Sequence, residues 1–319
     1  MELRQLQCFI AVVEEGGFKR ATARLGITQP ALSYQIRRLE EELGVQVFHR
    51  GPGGISPTEA GRTLLQHAHQ VIAAVTEAHQ AVRELSGGVT GELRIGTIKC
   101  VGIYFLPQVL WEIRAKHPMV RPKLLYRDSE EILESLLAKQ LDVALVVDPP
   151  PDKRLEQHNV FEEQISLVCG PKHAFYGRST VDVSELSDVQ LVSLSPQTST
   201  GALIRAYLDR IGLQVVPAVS TDNVETVKRM VEEGMGVAFL PDMVTEEDVG
   251  TGGKPGRLSR SNVEPTLSLP LVLVTWRDHR SLALDAFVDE VLRMGRSWDG
   301  RRGQPGVSAE SDEWMGRFI

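Results

Sequence analysis

Cysteine is scarce in this chain: three among 319 residues, Cys8, Cys100 and Cys169, far apart and without a CxxC pair. That argues against a disulfide framework or a zinc finger and points to a reducing compartment, the cytoplasm. Long apolar runs are missing too. The longest uncharged apolar run, Leu267–Trp276, is far shorter than a membrane span. The opening residues, Met1-Glu2-Leu3-Arg4, lack the basic-then-apolar pattern of a secretory leader, so no membrane partner is expected. Walker A, HExxH, GxSxG and strand-following GxGxxG motifs are all absent. Their absence weighs against an enzyme, and no catalytic residue, metal or cofactor is expected. His67 and His69, two apart, face differently on a helix, make a poor metal pair, and read as surface.

What is present is globular. Hydrophobic residues make up 42% and charged residues 24%, with length enough for two or three domains with proper cores. The net charge of −7 is at first sight a poor match for nucleic acid. Its distribution matters more than its sum. Residues 1–58 carry seven Lys or Arg against six Glu, while the remainder holds 28 basic and 36 acidic residues. A DNA surface in the first 58 residues must therefore come from sidedness.

Leu3, Leu6, Phe9, Ile10 and Val13 recur at helical spacing, and Gly16-Gly17 stops that helix. A second short helix spans 18–25, ended by Gly26. Thr28 is the N-cap candidate of a third, with Pro30 in its first turn and Gly44 at its end. Ala31, Leu32, Ile36, Leu39 and Leu43 form its apolar stripe. Two short helices joined by a tight turn make a helix-turn-helix. Its second helix presents Gln29, Ser33, Tyr34 and Arg37 away from the stripe. Gln suits an adenine edge, Arg a guanine or a phosphate, and Ser either. The same shape also occurs in proteins that never touch DNA.

Residues 45–50 alternate as a strand, 51–54 form a turn, and Ile55-Ser56 returns, giving a wing. Ser56-Pro57-Thr58-Glu59 reads as a capping box with proline at the first helical position. In the long helix that follows, Leu64, Ala68, Val71, Val75, Ala78, Val82 and Leu85 step by four and three. That is a heptad seam, the mark of a helix that pairs with another.

Beyond Gly87-Gly88, strand and helix patterns alternate, which predicts α/β lobes with a largely parallel sheet. Strands are expected at 92–98, 123–127, 141–147, 164–169, 190–194, 215–221, 236–240 and 269–276. Helices are expected at 104–117, 130–139, 201–211, 224–233 and 281–294. Ligands of such sheets bind beyond the carboxyl ends of strands. Three places fit: Thr97 with Lys99, Cys100 and Val101; Asp128-Ser129; and the hydroxyl-rich run Thr198, Ser199 and Thr200. Each hydroxyl taken singly also reads as a helix cap. A flexible loop is expected at 250–255 and a mobile tail at 295–319.

Residues 1–88 resemble the DNA-binding domain and linker helix of the LysR-type transcriptional regulators. The matching runs are Leu3-Arg4-Gln5-Leu6, Gly17-Phe18, Ala23-Arg24-Leu25, Thr28-Gln29-Pro30-Ala31-Leu32-Ser33, Leu43-Gly44, Phe48 with Arg50, and Thr58-Glu59-Ala60-Gly61. The likeness continues more weakly to about residue 295. It implies a winged helix-turn-helix domain over 1–58, a linker and dimerisation helix over 59–88, and an effector-binding regulatory domain over 91–295. The last resembles periplasmic binding proteins, with lobe I at about 91–161 and 269–295, lobe II at about 165–264, and a flexible tail at 296–319. It further implies double-stranded DNA with a dyad operator as partner, read by residues 28–37 with Arg50 near phosphate. A small organic acid or anion is the implied effector, and a homodimer assembling to a homotetramer the implied state, with RNA polymerase a further candidate partner. The family usually has Ser or Thr where Cys100 stands, often a basic residue at Tyr34, and commonly a further arginine in the wing. Cys100 is expected to act as a small residue, with a redox-sensing thiol as the alternative.

Overall fold

The computed structural model describes residues 1–51, 54–84, 88–250, 256–278 and 281–302. Helices α1 (Leu3–Glu14), α2 (Phe18–Leu25) and α3 (Gln29–Leu43) follow the apolar spacing closely. Gly26 ends α2 in the left-handed region, at φ 65°, where any side chain would strain the backbone. The Thr28 hydroxyl accepts from the Ala31 N–H and so caps α3. Leu6, Phe9, Ala21, Leu32, Ile36 and Leu39 bury together, and the Phe48 ring closes the cluster 5.2 Å from that of Phe9.

The wing pairs β1 (Phe48–Gly51) antiparallel with β2 (Gly54–Pro57). Its tip, Pro52-Gly53, lies outside the described residues. The ladder starts at Phe48, not at Val45 as the alternation predicts. Val47 is held by other partners: its N–H donates to Glu40 Oε1 and its carbonyl accepts from Thr58 N–H. The cap also shifts. Pro57 ends β2 opposite Phe48, and Thr58 caps α4 (Glu59–Glu84) by accepting from Gly61 N–H at 3.0 Å. Gly61 is obligatory by contact, since a Cβ there would lie 2.2 Å from the Val47 carbonyl oxygen. Ala68 of α4 is buried against α1, so the helix is welded to the N-terminal core before it leaves it.

The C-terminal half begins with β3 (Gly91–Thr97), α5 (Lys99–Tyr104), α6 (Leu106–Lys116), β4 (Val120–Tyr126), α7 (Ser129–Leu137), β5 (Val143–Val147) and the long β6 (Leu155–Cys169). Then come β7 (Val192–Leu194), α8 (Ser199–Arg210), β8 (Val219–Thr221), α9 (Val224–Glu232), β9 (Val237–Pro241), α10 (Asp242–Thr245), β10 (Ser259–Ser261), β11 (Leu267–Trp276) and α11 (Leu282–Arg302). The main sheet runs β10-β6-β11-β5-β3-β4, with β9 also on β6. It is mixed, not largely parallel. Only β3 pairs in parallel, with β4 and β5, while β11 runs antiparallel to both β5 and β6. The reason is that β6 and β11 cross between lobes side by side in opposite directions. Ile165 to Cys169 pair with β9 in one lobe, and Leu155 to Phe161 lie against β11 in the other.

The first half of β6 escapes the apolar pattern because Glu156, Gln157, His158 and Asn159 are polar and alternate only in burial. The tail expectation needs correcting as well. Residues 296–302 continue α11, and Trp298 stacks 5.8 Å from Phe161 and edge-on to Phe105 at 5.4 Å. An aromatic that docks on two buried rings holds its segment in place. Residues 303–319 and the loop 251–255 lie outside the described residues.

Candidate functional site

Helix α3 buries Leu32, Ile36 and Leu39 and turns Gln29, Pro30, Tyr34 and Arg37 to solvent, with Thr28 exposed at its start and Ser33 half-buried. Arg38 is engaged by Glu41 one turn on, and Arg24 of α2 by Glu14 and Glu15 of α1. No carboxylate among the described residues pairs with Arg37. An exposed helix second in a helix-turn-helix, carrying an amide, a hydroxyl and an unengaged guanidinium, has the donors that base edges and phosphates require. Arg50 lies on β1, and its side chain is outside the described atoms.

The heptad positions divide. Leu64 and Ala68 pack inward on the N-terminal core. Farther along, Val75 is half-buried, Ala78 is exposed, and Val71 and Val82 are 38% and 66% exposed in the single chain. Leu85 lies outside the described residues. His69 is not surface: it is only 8% exposed, with Gln140 and Glu14 beside it. Its polar neighbours in sequence, His67 and Gln70, hide this, because burial comes from tertiary contact with residue 140.

A cleft of about 400 Å³ opens between the lobes. Ile98, Lys99, Cys100, Tyr126, Arg127, Asp128 and Glu131 line one wall, and Leu194, Gln197, Thr198, Ser199, Thr200, Asp222 and Val224 the other. Six of the expected residues thus meet: Lys99, Cys100, Asp128, Thr198, Ser199 and Thr200. Ser129 sits just behind and ties the walls, its N–H donating to Ser199 Oγ at 2.8 Å. Thr97 and Val101 do not reach the cleft; they are buried behind it, with the Thr97 hydroxyl bonded to the Ile98 carbonyl. Thr97 ends β3 and Val101 lies within α5, and both side chains are buried in the core.

The Thr198 hydroxyl is already used, accepting from Gly201 N–H and donating to the Ser195 carbonyl. Lys99 reaches across to Asp222 at 2.9 Å, and Arg127 pairs with Glu131 at 3.4 Å. Arg127, Glu131 and Asp222 were not singled out by sequence. The strand-end rule reaches two of them, since Arg127 and Asp222 directly follow β4 and β8.

Cys100 is 8% exposed, and burial, helped by the negative Glu163, pushes its thiol up to about 12. Adjacent Lys99 opposes this only weakly. A thiol so placed is almost wholly protonated near neutrality and is a poor nucleophile. Beneath it, Ile98, Val147, Glu163, Thr200 and Met243 enclose a void of about 10 Å³, too small for more than a single water. Among the described residues no cluster of His, Cys, Asp and Glu could hold a metal, and no helix is long and apolar enough to cross a membrane.

Comparison with known proteins agrees with this layout. Residues 3–62 match the family model for bacterial regulatory helix-turn-helix proteins of the lysR family, and residues 86–296 match the LysR substrate binding domain. The HTH-type transcriptional regulator CbbR of Cereibacter sphaeroides is 30% identical over 253 residues, 78% of this chain and 81% of that protein. A probable RuBisCO transcriptional regulator of Cyanidium caldarium is 27% identical over 298 residues, 91% and 93% of the two chains. Among solved structures, full-length CbnR complexed with its target DNA shares the fold with a TM-score of 0.66 at 23% identity, over 92% of this chain and 99% of that one. A full-length OxyR from Pseudomonas aeruginosa does so with a TM-score of 0.69 at 22% identity, over 93% and 95%. The CbbR and RuBisCO relatives and CbnR are named as transcriptional regulators, not enzymes. A winged helix-turn-helix, a long linker helix and a two-lobed effector domain, in that order and matched by both family models, place this chain in the family of LysR-type transcriptional regulators.

Proposed function

We propose that this regulator senses a small organic acid or inorganic anion between its lobes and converts that binding into a change in how it sits on DNA. The Lys99–Asp222 pair across the cleft carries the reading. It places a cation from one lobe where a ligand carboxylate or phosphate can replace Asp222. Hydroxyls of Ser199 and Thr200 stand beside it at the start of α8, where free N–H groups favour negative charge. An effector acts only if it binds one lobe arrangement better than another, and exchange of Asp222 for a ligand gives that difference. The redox alternative through Cys100 is disfavoured by its burial and high pKa.

On DNA, α3 enters the major groove with Thr28, Gln29, Pro30, Ser33, Tyr34 and Arg37, and Arg50 lies near phosphate. Dimers form through the outer seam of α4, which predicts half-sites about one helical turn, or a multiple, apart. A second self-association surface suits a tetramer: β4 is an edge strand, and Trp111, Met119 and Leu124 are exposed around it. The protein acts in the cytoplasm, where RNA polymerase is within reach. RuBisCO promoters, named in the relatives, are the first to test.

A thermal-shift screen of the full chain against small organic acids and inorganic anions tests the effector reading. A bound ligand raises the melting temperature by mass action. A hit that Lys99→Met abolishes supports the site, whereas hits untouched by Lys99→Met refute it. For DNA, Gln29→Ala and Arg37→Ala should each weaken specific binding by roughly tenfold or more. Folded variants with unchanged affinity would refute those roles.

A further inference from the structure

Three parts of the molecule meet at His69. It lies on α4 with its Nε2 2.9 Å from Gln140 Nε2 and 3.7 Å from Glu14 Oε1. Glu14 ends α1, and its other oxygen accepts from Arg24 of α2, the first helix of the helix-turn-helix. Gln140 belongs to the loop between α7 and β5, in the effector half, and that loop is itself pinned. Arg94 of β3 grips Asp142 through two nitrogens, at 3.2 and 2.6 Å, and donates to the Lys139 carbonyl. The Gln140 N–H donates to the Ser135 carbonyl. Lobe I is therefore tied through Gln140 to His69 on α4, which is itself packed on α1 of the DNA-binding unit, with Glu14 close enough to pair with the ring only when it is charged.

We propose that His69 is a positioning residue: through its hydrogen bond with Gln140, made from a helix packed on α1, it holds the effector half and the DNA-binding half in one relative arrangement. The inference stands apart from the effector reading, because it needs no ligand in the cleft. Motion of β3 and β5 moves the pinned loop, and the loop bears directly on α4 where α1 is fixed. Because the His69 ring is buried, its polar contact is costly to leave half-made even though Gln140 is half-buried, so the junction has two states, made or released.

The contact also depends on protonation. The Gln140 amide N–H donates into a bare Nε2, which requires a neutral ring with its proton on Nδ1. Burial above all disfavours the charged ring, and Arg94 of β3 and Arg24 of α2 add to it, against Glu14 of α1, which favours the charge. The outcome is a pKa below the ordinary imidazole value of 6.5. The made junction thus binds fewer protons than the released one. It is fully favoured above pH 6.5 and weakens as pH falls below that value.

Hydrogen exchange read by mass spectrometry on the full chain tests this, with rates corrected for intrinsic pH dependence. In His69→Ala at pH ~7.5, amides of residues 10–16 and 136–142 should exchange faster together, by about tenfold, while those of 199–232 stay unchanged. Wild type taken to pH ~6 should loosen the same two segments, and His69→Gln, which keeps an acceptor but does not titrate, should not. DNA selected by the wild type from a random pool supplies a second readout. Affinity of His69→Ala for a single half-site should stay within about twofold, while its preference among half-site spacings relaxes. Independent exchange of the two segments, or equal loosening of wild type and His69→Gln on acidification, would overturn the proposal. Should His69→Ala lose protection throughout, the wild-type and His69→Gln pH comparison decides by itself.

Discussion

Replacing Val71 and Val82 together by serine should dissociate the proposed dimer without unfolding the chain. Full burial of a valine side chain is worth about 2 kcal/mol. In the single chain Val82 is 66% and Val71 38% exposed. Pairing two copies of α4 along this seam therefore buries the equivalent of about one valine per chain, or about 4 kcal/mol per dimer. Losing that much raises the dissociation constant by about a thousandfold. Serine and valine have similar helix propensities, so α4 itself persists. Leu64 and Ala68, on the same heptad, are the control, because they pack into the N-terminal core. Substitution there should lower the melting temperature, with no selective effect on association. Sedimentation velocity over a wide concentration range reads the difference. An unchanged dissociation constant in a folded Val71→Ser, Val82→Ser protein would refute the assignment of this seam to dimerisation.

Three further outcomes follow from particular contacts. Gly61→Ala should destabilise the N-terminal unit by about 1–3 kcal/mol, read as a lower denaturation midpoint, since its Cβ would collide with the Val47 carbonyl oxygen; an unchanged midpoint would show that the Pro57–Gly61 junction yields easily. The Cys100 thiol, with its pKa pushed up to about 12, should resist iodoacetamide in the folded protein at pH ~8 and react only on denaturation. Alkylation of native protein at that pH would revive the redox reading. Asp222→Asn should tighten binding of inorganic phosphate by up to about fivefold by releasing Lys99, an exposed pair being worth little more. Titration calorimetry showing weaker binding would mean that Asp222 helps the ligand instead of competing with it.

Much of the N-terminal unit was legible because its determinants are local. Spacing of Leu6, Phe9, Leu32 and Ile36 sets which helix faces turn inward, and Gly26 and Thr28 mark where the chain must stop and restart. These are properties of single turns and do not need a partner. The site was legible in outline for a similar reason. Lys99, Asp128, Thr198 and Ser199 each stand at a strand's end or a helix's start, so one topological rule gathers them. The rule does not resolve direction. It placed Thr97 and Val101 with them, although the side chains of both, one ending β3 and one inside α5, are buried in the core.

By itself, then, the sequence determined the winged helix-turn-helix, the amphipathic linker helix and the alternation of strands and helices, since hydrophobic period and capping chemistry act within a few residues. Only the tertiary structure decided the antiparallel run of β6 beside β11, because polar Glu156 to Asn159 carry no apolar signal and the pairing spans more than a hundred residues. It alone set Asp222 against Lys99, docked Trp298 on Phe105 and Phe161, and buried His69 between Glu14 and Gln140. Those contacts join residues far apart in the chain. Their energies exist only once two separately formed surfaces meet.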